Sequence, residues 1–174
     1  MIGVNKGDVT LVPHSKKWGK LFDKEKNLLY SLIGKHTIEI QHIGSTAISG
    51  IYAKPIIDIM IGVQSIADIE MFDQNLLKTH GYFHLQRVRM NGKVVFAKFM
   101  DLENLTKTHI LHIVEYNGDW WNKHISFRNY LRENSEAARE YEELKLSLAL
   151  KYPHDERTYT DKKKRFVDEI LSKQ

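Results

Sequence analysis

The stretch Ile56-Ile57-Asp58-Ile59-Met60-Ile61 constrains this chain more than any other. Isoleucine is β-branched and favours strands, and a run that is apolar on both sides reads as a strand buried on both faces of a sheet. Period-two geometry sends Ile56, Asp58 and Met60 to one side and the three remaining isoleucines to the other. One acid then needs explaining. A carboxylate in an apolar strand is costly unless it is paired, hydrogen-bonded or holding a metal. Asp58 is therefore the first candidate catalytic residue.

Upstream, Thr37 to Ile43 alternates and is rich in β-branched residues, which predicts a strand that delivers the turn Gly44-Ser45-Thr46. Gly44 lets the backbone approach a ligand closely, and Ser45 and Thr46 offer two hydroxyls. Turn and acid together suggest a phosphate and metal site. Lys54, just before Pro55, is either a phosphate cradle or a solvated lysine. His42 closes the first strand, and His112 lies in a further predicted strand, Thr108 to Glu115. If both histidines point at Asp58, they form a metal or acid/base cluster, with His42 a catalytic candidate and His112 a metal ligand. The remaining histidines have no HExxH spacing.

The other elements follow from periodicity and punctuation. Ser15 caps a predicted helix whose apolar face carries Trp18, Leu21, Phe22, Leu28, Leu29, Leu32 and Ile33, ending near Gly34. Ser65-x-x-Asp68 has the form of a capping box and opens a helix with Ala67, Met71, Phe72 and Leu76 inward, stopping before Gly81. Asn91-Gly92 predicts a hairpin between Tyr82 to Met90 and Lys93 to Met100. Beyond Asn117-Gly118 the pattern turns helical. One helix covers Trp121 to Glu133, a second Ala137 to Lys151 after Asn134-Ser135, and a third is capped by Thr158 or Thr160, with Phe166, Val167, Ile170 and Leu171 as its apolar stripe. Arg128 and Arg132 are four apart, as are Tyr141 and Lys145, so each pair shares a helix face. With Lys163, these cations read as an anion-binding wall for a second substrate.

The expected class is α+β: a mixed or antiparallel sheet with flanking helices and a helical C-terminal third. At 174 residues, 42% hydrophobic and 28% charged, the chain suits one domain over residues 1–174. It contains no cysteine, which removes disulfides and thiol chemistry and points to a reducing compartment. No apolar signal core or membrane-length apolar run is present, so the expected location is the cytoplasm and no membrane partner is expected. The net charge of +4 suits an anionic small molecule. Nucleic acid is the weaker candidate, since no recognised binding motif appears. The sequence sets no oligomeric state.

Several separated motifs, in order, resemble the GrpB family of small uncharacterised bacterial proteins, a branch of the nucleotidyltransferase superfamily. They are Leu11-Val12-Pro13 with Trp18, His42-Ile43-Gly44-Ser45-Thr46, Lys54-Pro55-Ile56-Ile57-Asp58, the strand ending His112-Ile113, Phe127 to Arg132, Tyr141-x-x-Leu144-Lys145 and Tyr159-Thr160-x-x-Lys163. The resemblance implies a nucleotidyltransferase-like sheet. It also implies that Gly44 and Ser45 hold a nucleotide's phosphates and that Asp58 belongs to an Asp-x-Asp pair binding divalent metal, magnesium or a transition metal. Met60 stands where the second acid belongs. Imidazole suits zinc, manganese or iron better than magnesium, so His112 would change the metal. Two readings follow: a metal-dependent nucleotidyltransferase-like enzyme acting on a nucleoside triphosphate and an acceptor, or a module that binds a nucleotide or phosphorylated metabolite without transfer.

Overall fold

A computed structural model describes residues 2–88 and 90–172. Five strands, β1 (Glu39–Ile43), β2 (Ile57–Val63), β3 (Tyr82–His84), β4 (Lys93–Asp101) and β5 (Thr106–Glu115), form one sheet in the order β1-β2-β5-β4-β3. The β2–β5 pairing is parallel and the others antiparallel, so the sheet is mixed. The isoleucine run thus occupies an interior strand, with both edges paired.

The register divides the residues between two layers. Ile40 and His42 of β1 pair with Ile61 and Ile59, and Ile59 and Ile61 pair in turn with Leu111 and Ile113. This face packs against α1 (Lys17–Ile33), whose Trp18, Phe22, Leu29 and Ile33 are buried in the same cluster. Burying each large apolar side chain stabilises the fold by about 1.5–3 kcal/mol, and this layer is the main core. The opposite face carries Ile43, Asp58, Met60, Ile110, His112 and Val114. It is covered by the C-terminal helices α3 (Asp119–Glu133), α4 (Ser135–Lys151) and α5 (Glu156–Leu171), with Trp121 packed on Ile43, Met60 and Val114. Among the described residues no helix is long and apolar enough to cross a membrane.

Three local departures from the sequence reading have physical causes. The Ser65–Asp68 capping box forms, but it opens a 3-10 turn (Ile66–Met71); α2 (Gln74–Thr79) then starts separately on Asp73, which accepts the Leu76 N–H. The inward residues are consequently Ile69, Phe72 and Leu77, while Met71 is 63% exposed. The Asn91-Gly92 turn forms between Met90 and Lys93, with Gly92 at φ +73°, yet the first strand ends at His84, where Leu85 to Val88 makes another turn. Arg89, within that predicted strand, lies outside the described residues. Finally, α5 is capped by Asp155, whose carboxylate accepts the Thr158 N–H at 3.0 Å, so the helix begins at Glu156.

Candidate functional site

β1 ends at Ile43 and the chain turns through Gly44, at φ +70° and ψ −174°, into a single 3-10 turn, Ser45–Ala47. That backbone conformation is open essentially to glycine alone. It lays Gly44 directly on the carboxylate of Asp58: a Cβ added there would stand 2.5 Å from Asp58 Oδ2. Asp58 Oδ1 accepts a hydrogen bond from His112 Nε2 at 3.0 Å, across the β2–β5 pairing. Turn, acid and imidazole thus meet at one point on the sheet.

Around them runs a cleft of about 210 Å³, lined by Ser45, Thr46, Lys54, Asp58 and His112 from the sheet half and by Glu156, Tyr159, Thr160 and Lys163 from α5. Glu156 was not a sequence candidate. Its carboxylate bridges Lys54 Nζ at 2.8 Å and Lys107 Nζ at 2.9 Å. Lys163 stands over the Tyr159 ring at 4.5 Å from its centroid, and Lys54 over the same ring at 5.6 Å. Among the described residues Lys163 makes no ion pair. The cleft is therefore lined by both signs of charge, Lys54 and Lys163 against Asp58 and Glu156.

The electrostatics fix protonation states. Burial pushes the Asp58 carboxyl up, but the hydrogen bond from His112 and the charges of Lys54 and Lys163 outweigh it and hold it below its ordinary value. Burial and the Lys93 charge push His112 down despite Asp58, so it is neutral at pH 7 and donates its Nε2–H. Behind it His124 on α3, at 5.9 Å between ring centroids, is pushed by burial down to about 3.

The remaining candidates divide. Thr46 lines the cleft, but its hydroxyl is engaged within the turn, donating to Ile56 O at 3.3 Å and facing His42 Nε2 at 3.0 Å. His42 does not join Asp58. It lies on the other face of β1, paired with Ile59 and stacked on Phe22 of α1 at 4.8 Å, and burial pushes it down to about 4. Three members of the expected wall turn to backbone instead. Arg128 donates to Gln41 Oε1 at 2.7 Å and His42 O at 2.9 Å, Arg132 to Ala47 O at 2.9 Å, and Lys145, 1% exposed, to Tyr52 O. They bracket the irregular segment from His42 to Tyr52, whose carbonyls lack ladder partners. Only Lys163 of that set faces the cleft.

The donor set does not fit a pair of metal ions. Met60, at the position of a second acid, is 0% exposed and packed among Ile43, Val114 and Trp121. Asp58 is the single carboxylate of β2, with one oxygen bonded to His112 and the other against Gly44. Among the described residues no group of three or more His, Asp and Glu side chains is arranged to hold a metal.

A mixed sheet backed by a helical layer is a fold shared with nucleotidyltransferase-like proteins. Solved structures agree on the fold: Cid1 poly(U) polymerase, solved with MgGTP bound, matches with a TM-score of 0.52 at 16% identity, covering 79% of this chain and 44% of Cid1. The chain belongs to the GrpB family, whose family model, GrpB protein, matches residues 8–173. The glutamate-rich protein GrpB of Alkalihalophilus pseudofirmus is 63% identical over 172 residues, 99% of each chain. The crystal structure of GrpB from Enterococcus faecalis superposes with a TM-score of 0.82 at 28% identity, covering 94% of this chain and 98% of that one.

Proposed function

We propose that this chain binds the phosphate tail of a nucleoside triphosphate, or of another phosphorylated small molecule, in the cleft beneath Gly44 and Ser45. The observation that carries the reading is the close approach of Gly44 to Asp58 at the mouth of a lysine-lined cleft. Gly44 lets the turn close onto Asp58, the Ser45 hydroxyl donates to a phosphate oxygen, and Lys54 and Lys163 supply positive charge. Asp58, held ionised and oriented by His112, accepts a hydrogen bond from an attacking hydroxyl if transfer occurs. A divalent ion, when bound, would add neutralisation of phosphate charge, with Asp58 and His112 as its candidate donors.

The nucleotide of Cid1 and the shared fold support the nucleotide part of this reading. A second reading, binding without transfer, is favoured by the burial of Met60, which closes the second acid position to solvent. Thermal denaturation with each of the four ribonucleoside triphosphates, with and without Mg2+ or Mn2+, tests both. Binding at a hundredfold excess over Kd stabilises by about 2.7 kcal/mol, and Ser45→Ala is expected to reduce the shift. No shift under any combination would overturn the proposal. Pyrophosphate release abolished by Asp58→Asn supports transfer; a shift with no release supports the binding module.

A further inference from the structure

We infer that the cleft takes up a condensed phosphate chain without a divalent ion, lysine ammonium groups neutralising the phosphate oxygens in place of metal. The inference rests on the phosphate reading above and specifies how the charge is met. Metal-assisted sites gather carboxylates to hold ions, and the ions then hold phosphates. Here the order is inverted. The strand supplies one carboxylate, already bonded to His112, and buries Met60 where a second would stand. The cleft is instead furnished with Lys54 and Lys163, and Lys107 lies behind them on Glu156.

Glu156 demonstrates that this seat accepts an anion. Its two oxygens lie on two ammonium groups, at 2.8 Å from Lys54 and 2.9 Å from Lys107, as two oxygens of a phosphate would. The carboxylate carries a single charge and sits on the first turn of α5, half-buried. A phosphate chain brings more charge to the same lysines and displaces it. Glu156 is thus an internal competitor. Tyr159, 1% exposed, supports Lys54 and Lys163 on its ring while leaving their N–H groups available. The volume of about 210 Å³ lies below the range for whole drug-sized ligands and suits a phosphate chain alone.

Isothermal titration with inorganic tripolyphosphate in EDTA tests this. Binding is expected in EDTA, weakening steeply with added KCl. Glu156→Gln is expected to tighten it about three- to tenfold, and Lys163→Met to weaken it at least tenfold, with folding of both variants checked by circular dichroism. Binding seen with Mg2+ but lost in EDTA would overturn the inference and leave the phosphate reading standing. Absence of binding in both, with no nucleotide shift, would overturn both. Weaker binding in a folded Glu156→Gln would overturn the role of Glu156. The salt dependence uses the unaltered chain, so a salt-insensitive affinity overturns the lysine mechanism even if the variants misfold.

Discussion

Substituting Gly44 by alanine separates the backbone strain of this turn from its contact with Asp58. Gly44 sits at φ +70° and ψ −174°, a region that costs a residue with a side chain about 1–3 kcal/mol. The new methyl would also lie 2.5 Å from Asp58 Oδ2 and 3.0 Å from its Cβ and Cγ, inside any tolerable contact. Either the turn moves or Asp58 rotates off His112, and such overpacking costs about 1–3 kcal/mol more. The expected loss is therefore about 2–6 kcal/mol.

Gly50 provides the control. It has φ +84°, but an added Cβ would meet nothing within 4 Å, so Gly50→Ala carries only the backbone cost of about 1–2 kcal/mol. Urea denaturation of both variants, read at the midpoint with the slope unchanged, measures the difference. The Gly44 variant should be the less stable by at least 1 kcal/mol and should shift the His112 ring resonances, which the Gly50 variant leaves alone. Equal losses within 0.5 kcal/mol, with His112 unmoved, would refute the close approach on which the site is built.

Met60→Asp restores the expected acid pair in sequence but buries a carboxylate among Ile43, Val114 and Trp121; urea denaturation should register a loss of at least about 3 kcal/mol, and recovery of that loss on adding Mg2+ would refute the closed second position. Lys145 is pushed by burial, then by the Lys163 charge, from its ordinary 10.5 down to about 7. The unfolded chain therefore holds the extra proton between about pH 7 and 10.5, so the unaltered protein should gain stability relative to Lys145→Met as pH rises through that window, by up to about 1.4 kcal/mol per pH unit. Parallel stability profiles of the two proteins from pH 7 to 10 would refute the burial argument.

The sheet was legible because the isoleucine run leaves no other solution, and Asp58 was legible because it violates that run. His42 was not, since its direction depends on the antiparallel register that sets it against Ile59 while Ile43 faces Asp58. A strand's period gives relative sides; pairing decides which side holds the site. Glu156 escaped for a local reason. With the last helix expected to start at Thr158 or Thr160, Glu156 read as loop, whereas the Asp155 cap places it on the first turn of α5, over Lys54. The shared face of Arg128 and Arg132 was readable, but not its destination: it meets a segment without a ladder, whose carbonyls consume the donors.

The same sheet carries a second acid cluster, and comparing the two clusters identifies which one can work. Under α1, Glu25 accepts from Tyr82 Oη at 2.5 Å and from Lys98, with His109 Nε2 3.9 Å away. Its residues resemble those of the cleft: a carboxylate, a lysine, a tyrosine and a histidine pushed by burial down to about 4. Glu25, however, is 5% exposed, and its Oε1 takes both Tyr82 and Lys98. It satisfies charges that the fold has buried. The Asp58 side chain keeps 29% of its surface, and Lys163 beside it is held by a ring face with no acid partner among the described residues. The Asp58 cluster opens instead on the cleft lined by Lys54 and Lys163, which is where the proposed anion would be tested.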